Sequence, residues 1–159
     1  MKQENRNSIK IVCQNRKARH DYFLSDIIEA GLVLTGTEVK SLRLVKANLR
    51  DSYCKVKDGE IYLINAHISP YSHAYYGNHD PLRERKLLLH KREIKRLVGK
   101  VQERGFSLIP TKIYLKNGKA KVEIALAKGK RKYDKRETIR KRDEAREMAR
   151  DYRKKDSLR

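Results

Sequence analysis

Two dipeptides, Asp58-Gly59 and Asn117-Gly118, constrain the fold of this 159-residue chain more than anything else in it. Each suits a two-residue type I′ turn, in which both central residues take positive φ, and each is flanked by alternating apolar residues. Each therefore predicts a hairpin of defined register. Around the first, Lys57 falls opposite Glu60, Val56 opposite Ile61 and Cys54 opposite Leu63. Around the second, Leu115 meets Ala120 and Ile113 meets Val122, which sends Tyr114, Lys116, Lys119 and Lys121 to the other side. One face of that hairpin is apolar and the other basic and aromatic.

The remaining pattern fills in around these hairpins. Phe23, Leu24, Ile27 and Ile28 recur at helical spacing and predict a helix over Arg16 to Ala30, ended by Gly31. Leu32-Val33-Leu34 reads as a short buried strand, and Thr37 as the N-cap of a second helix with Val39, Leu42 and Val45 on one face. After a loop from Ser69 to Arg85, Lys86 to His90 reads as a strand. Lys91 to Arg104 then reads as an amphipathic helix, with Ile94, Leu97, Val98 and Val101 on its stripe and Gly105 as its stop. Phe106 to Ile109 begins a further strand. The expected fold is α+β: a six-stranded antiparallel β-barrel of the oligonucleotide-binding type, with peripheral helices. Closure into a barrel leaves no strand edge unpaired.

Composition separates this body from the C-terminal segment. Ile, Leu, Val and Phe number 33 of the 114 residues from 14 to 127, but only two of the 32 from 128 to 159. The first fraction exceeds the roughly 20% below which a segment cannot bury enough apolar surface to fold, and the second is far below it. The expected organisation is a mobile N-terminus over residues 1–13, a barrel domain over 14–130, and a basic tail over 131–159 that is disordered or helical. Asp134 with Glu137 resembles a capping box, and Asp143/Arg146, Glu147/Arg150 and Asp151/Lys155 are opposite charges at helical spacing.

The net charge is +20, from 25 basic and 13 acidic residues through Ala127 and 15 and 7 beyond it. Such a surface attracts phosphate polymers or anionic membranes. The longest apolar runs are far short of the roughly 18 residues of a membrane helix, and Ile9-Lys10-Ile11-Val12-Cys13 is too short and too broken for a signal sequence. No membrane partner is expected. Cys13 and Cys54, without a Cys-x-x-Cys element, read as reduced thiols of a cytoplasmic protein.

Enzymatic signatures are missing. There is no phosphate loop, dinucleotide fingerprint or nucleophile motif. His67, His73 and His79 match no common zinc spacing, so no metal or cofactor is expected. His20 and His90 have the chemistry to serve as acid and base in RNA cleavage, while the plainer reading makes them RNA contacts or hydrogen-bonded surface groups, since no supporting motif accompanies them. Glu29 and Glu38 stand among basic residues, either as salt-bridge partners or as acceptors for base and ribose donors.

Basic residues cluster at Arg16, Lys17, Arg19 and His20, at Lys40, Arg43 and Lys46, at Arg83, Arg85 and Lys86, and through the tail from Lys128 and Lys130 onward. That distribution suits phosphate neutralisation at many points and makes RNA binding the leading reading. Tyr71, Tyr75 and Tyr76, with His73, form a loop that either stacks on bases or packs.

Several blocks also carry a family resemblance. They are Asn15-Arg16-Lys17-Ala18-Arg19-His20-Asp21-Tyr22-Phe23, Glu29-Ala30-Gly31-Leu32, Gly36-Thr37-Glu38-Val39-Lys40-Ser41-Leu42-Arg43, Lys46-Ala47-Asn48-Leu49 and Asp51-Ser52-Tyr53. Arg85-Lys86-Leu87-Leu88-Leu89-His90, Ala127-Lys128-Gly129-Lys130 and Asp134-Lys135-Arg136 come after them in order. Over about residues 9–155 the chain resembles the SsrA-binding protein (small protein B) family. The resemblance implies a non-enzymatic, monomeric protein that binds the tRNA-like domain of transfer-messenger RNA. It implies entry with that RNA, and with elongation factor Tu in the delivery complex, into stalled ribosomes for trans-translation, which tags the nascent chain and releases the ribosome. Glu29 and Leu88 correspond to family residues on the RNA-binding face, and His90 stands where some members carry asparagine. Thr37 stands where other members have a bulkier residue. Tyr133 sits where an aromatic or histidine side chain stacks on a decoding-centre base. Asp134, Lys135, Arg136, Arg140, Arg146 and Arg150 would lie along ribosomal RNA in the empty message channel.

Two rivals remain at this point: a ribosome-associated RNA-binding factor without a dedicated RNA, and a histidine-dependent RNA-processing nuclease.

Overall fold

In the computed structural model, which describes residues 9–103 and 105–156, thirteen elements succeed one another. They are β1 (Ile9–Gln14), α1 (Arg16–Asp21), β2 (Tyr22–Leu32), α2 (Gly36–Arg43), β3 (Ala47–Asn48), β4 (Tyr53–Lys57) and β5 (Glu60–Ile64). The chain continues with β6 (His67–Ile68), β7 (Arg85–Leu88), α3 (Lys91–Gln102), β8 (Phe106–Lys116), β9 (Lys119–Gly129) and α4 (Lys132–Asp156).

Both turn dipeptides adopt the conformation that defines a type I′ turn. Asp58 and Gly59 have φ of 52° and 72°, and Asn117 and Gly118 have 51° and 75°. The registers agree with those turns: Lys57 pairs with Glu60, Val56 with Ile61 and Cys54 with Leu63, while Leu115 pairs with Ala120 and Ile113 with Val122. From these hairpins a ring is assembled. β8 pairs with β9, β9 with β2, β2 with β7, β7 with β5, β5 with β4, and β4 returns to β8 through Cys54 and Leu108. All six strands of the ring are antiparallel to their neighbours. β1 adds to β8 outside the ring, and β3 with β6 forms a separate two-stranded ribbon. Leu42, Leu49, Ile61, Leu63, Leu87, Leu97, Ile113 and Ile124 fill the interior with almost no exposed surface. α3 closes one side by burying Ile94 and Leu97.

The predicted helix over 16–30 ends early. Only Arg16–Asp21 is helical, and Tyr22 onward is an eleven-residue strand. The helix-like spacing comes from a bulge: the register slips between Ser25 and Ile28, where Asp26 has φ 45°. An extra residue in one strand reverses which face each later side chain takes. Ile28, Ala30 and Leu32 thus enter the ring interior, while Leu24 and Tyr22 pack with Ala18, Ile109 and Ala127 against α1. Gly31 lies within β2 and does not end a helix.

Three smaller expectations also shift. Thr35, not Thr37, caps α2, and Val45 lies beyond its end, exposed and at φ 60°. The stretch 32–34 continues β2 for one residue and then leaves the sheet, with Val33 exposed. The polar N-terminal segment expected through residue 13 falls on residues 1–8, outside the described part, and on β1, which is paired with β8.

Among the described residues no helix is long and apolar enough to cross a membrane. α4 carries only a narrow apolar stripe, Ala145, Met148, Ala149 and Tyr152, and residues 141–150 are exposed without exception. Its 25 residues reach about 37 Å at 1.5 Å per residue.

Candidate nucleic-acid interface

Sheet register places four residues in one row across the outside of the ring. Gly31 of β2 pairs with Leu88 of β7 on one side and Lys121 of β9 on the other, and Lys121 pairs with Tyr114 of β8. Glu29 lies two residues along β2 on the same face, because side chains alternate along a strand. Its carboxylate accepts from the Tyr114 hydroxyl at 2.5 Å, with the ammonium groups of Lys116 at 3.2 Å and Lys121 at 3.6 Å. Tyr114 foremost, and then the two lysines, hold the Glu29 carboxyl below its usual range despite partial desolvation. Burial, and then the neighbouring carboxylate, push the Tyr114 hydroxyl well above its own, so it remains a donor.

Beside Glu29 the surface opens into a cleft of about 450 Å³, lined by Gly31, Leu88, His90, Lys86, Glu60, Glu93 and Lys121. Leu88 keeps 55% of its surface exposed among these charged groups. Gly31 makes the notch: a Cβ there would lie 3.2 Å from Leu88 Cβ. His90 stands at the N-terminus of α3, its amide donating to Glu93 at 2.9 Å, and Lys86 is paired with Glu60 at 3.2 Å. The arrangement offers an oriented carboxylate for base or ribose donors, an apolar contact, and flanking cations for phosphates. Glu29, Lys86, Leu88 and His90 were singled out in the sequence and meet here. Tyr114, Lys116, Lys121 and Gly31 were not, although the Asn117-Gly118 register had already put the first three on one face.

Glu38 and Arg85 are corrected. Both are fully buried, so neither reaches a nucleic acid. Arg85 Nε donates to Glu38 Oε1 at 2.8 Å, and its other nitrogens donate to the carbonyls of Ala66, Arg83 and Pro81. Glu38 also accepts from Arg83 at 2.7 Å and from the Thr35 amide at 2.8 Å, which closes the start of α2. Burial opposes ionisation of Glu38, but the hydrogen bonds from Arg83 and Thr35 and the charges of both arginines outweigh it and hold its pKa below the usual range. This cluster supports the fold beneath the surface.

A second basic region forms at the other end of β2, where Tyr22 pairs with Gly129. Arg16, Lys17 and Arg19 are exposed on α1, Lys17 being paired with Asp51 at 3.0 Å. Lys128 lies over the Phe106 ring and Lys130 over the Phe23 ring. His20 contacts Asp21 at 2.8 Å, and Lys135 of α4 reaches the same carboxylate oxygen at 3.4 Å. Arg142 borders a cleft with Arg16, Arg19 and Lys112, so the first turns of α4 rest against α1. Asp134 accepts from the Arg131 amide at 3.1 Å, and Arg140 pairs with Glu144 at 2.9 Å. Arg136, Arg146 and Arg150 are exposed. The Tyr133 side chain lies outside the described residues.

His20 lies just before the start of β2 at Tyr22, whereas His90 shares the cleft with Glu29, roughly 20 Å along that strand, so they cannot act on one phosphate. His79 contacts Thr37 Oγ1 and the Ile68 carbonyl, and His73 contacts Ser72. No group of three potential metal ligands occurs among the described residues. Lys40 and Arg43 are exposed on α2, Lys40 lying over the Tyr71 ring.

Comparison with known proteins places this geometry among relatives. The model of the family described as SmpB protein matches residues 12–154. The chain is 59% identical over 140 residues to an SsrA-binding protein of Geobacter metallireducens, covering 88% of this chain and 92% of that one. It is 60% identical over 141 residues to an SsrA-binding protein of Syntrophobacter fumaroxidans, covering 89% and 88%. A solved structure described as "tmRNA-SmpB: a journey to the center of the bacterial ribosome" superimposes with a TM-score of 0.65 at 50% identity, covering 80% of this chain and 94% of that one.

Proposed function

This chain belongs to the SmpB protein family, and from that membership we propose that it binds transfer-messenger RNA and brings it to stalled ribosomes for trans-translation. It acts by binding and not by catalysis, in the cytoplasm with ribosomes. The six-strand ring is taken as a barrel of the oligonucleotide-binding type, with residues 14–130 gripping the tRNA-like domain and residues 131–159 probing the message channel. Within the body, the Glu29–Gly31–Leu88–His90 notch is the RNA-binding face.

The observation that carries this reading is the contrast in surroundings along the chain. The notch is held rigidly by four paired strands, whereas residues 141–150 of α4 touch no core of their own. A polar, basic helix of that length is marginal alone in water and gains from an RNA-lined channel that compensates its charge. A channel filled with message leaves no room for it, so the same helix reports an empty one.

Capture of RNA by the tagged protein tests the partner. One dominant structured RNA supports the proposal, whereas bulk ribosomal RNA favours a ribosome-associated factor without a dedicated RNA. Deletion of residues 132–159 should leave affinity for transfer-messenger RNA nearly unchanged while abolishing peptide tagging. A large loss of affinity in a binding titration would overturn the division between body and tail.

A further inference from the structure

Tyr75 and Tyr76 are 91% and 98% exposed, the two most exposed large hydrophobic side chains among the described residues. They do not pack against the rest of this chain. They sit side by side with ring centroids 5.3 Å apart, edge to face, at the tip of a loop that leaves the β3–β6 ribbon outside the ring that carries Glu29.

The loop beneath them is firmly built. The Asn78 side chain accepts from the Tyr71 amide and donates to the Tyr71 carbonyl, both at 2.8 Å, closing the tip as a strand partner would. His79 bridges Thr37 and the Ile68 carbonyl, and the buried Arg85 donates to the Pro81 carbonyl from below. Two large aromatic rings are thus held in water by a scaffold that has already met the entropic cost of ordering the loop.

We propose that this loop tip is a second nucleic-acid site, separate from the Glu29 face, which takes unpaired bases of single-stranded RNA by stacking. The surroundings choose RNA over a protein partner. Lys40 lies 5.3 Å from the Tyr71 ring centroid, Arg43 and Lys46 are exposed at the same end of α2, and the Lys46 carbonyl holds the Ser69 amide at 3.1 Å. No acidic residue occurs from Ser69 to His79. Exposed aromatic rings on a loop whose base is flanked by cations are a combination that binds single strands without sequence preference: the cations meet phosphates and the rings meet any base. This site does not depend on which RNA the Glu29 face holds.

The test uses the full-length protein and two probes, a short unpaired RNA oligonucleotide carrying 4-thiouridine and an RNA duplex of similar length. Photocrosslinking and then peptide mapping should place the unpaired probe on the segment containing Tyr75 and Tyr76. The double change Tyr75→Ala and Tyr76→Ala should weaken the unpaired probe by about fivefold or more, since stacking on one base is worth at least that much, and should leave the duplex within about twofold. Tyr75→Phe with Tyr76→Phe should bind as the parent does, because stacking needs the ring and not the hydroxyl. Crosslinks confined to other segments, or an alanine variant that binds the unpaired probe normally, would overturn the proposal. An alanine variant that keeps RNA affinity but loses a ribosomal protein contact would make the loop a protein-docking surface and overturn it equally.

Discussion

Glu29 and Glu38 look alike in the sequence, each a carboxylate set among basic residues, and they end in opposite environments. Glu29 sits on the outer face of the sheet, touched by one hydroxyl and two ammonium groups, with room beside it for a ligand. Glu38 has no exposed surface and is consumed by two arginines and a helix amide. Flanking charge does not distinguish a binding carboxylate from a structural one. What distinguishes them is whether the hydrogen-bonding capacity is already filled from inside.

The largest effect should come from Glu38→Gln. Removing the charge leaves Arg85 buried and unpaired, a loss of about 3–5 kcal/mol for breaking one partner of a buried ion pair. Denaturant unfolding should show it, while RNA affinity of the folded fraction stays near the parent's. The ion pair also predicts an acid limb. Because the folded-state pKa of Glu38 lies below its ordinary 4.5, the contribution is complete above that pH and is lost as the pH falls through the lower folded value. The glutamine variant should lack that part of the acid destabilisation. If it unfolds with the parent's stability and acid profile, the cluster is not structural.

Glu29→Ala should invert this pattern. An exposed carboxylate contributes little to folding, but a charge-assisted hydrogen bond to RNA is worth about 1.5–3 kcal/mol, so affinity should fall by about tenfold or more with the melting temperature scarcely moved. Equal losses in stability and binding would erase the contrast. Gly31→Ala should have the smallest effect. The new methyl meets Leu88 Cβ at 3.2 Å, so Leu88 must move by a few tenths of an ångström. Stability should change by no more than about 1 kcal/mol, while RNA affinity falls measurably because the notch is filled. Unchanged affinity would show that Leu88 tolerates the shift.

Much of the molecule was legible in advance. The Asp58-Gly59 and Asn117-Gly118 hairpins appear with the predicted pairs, and α3 occupies nearly the predicted span. The helix over 16–30 was misread because the Asp26 bulge spaces Leu24 and Ile28 as a helix would. Glu29, Leu88 and His90 were legible through their family blocks, yet the residues that orient Glu29 come from β8 and β9, more than eighty positions away. Tyr75 and Tyr76 were left between stacking and packing, since an aromatic loop residue carries no mark of its own burial.

The sequence by itself determined what short-range physics controls: turns whose residues accept positive φ, the strand registers those turns impose, the coreless composition of the tail, and the sign of the surface charge. Only the tertiary structure decided which charges were left for a ligand. Arg85 and Glu38 are 47 positions apart and meet because the loop before β7 folds back over the start of α2. Leu88, Gly31, Lys121 and Tyr114 form one row because four strands close side by side. Burial and cross-strand adjacency are properties of pairings between distant segments, and no local pattern of residues records them.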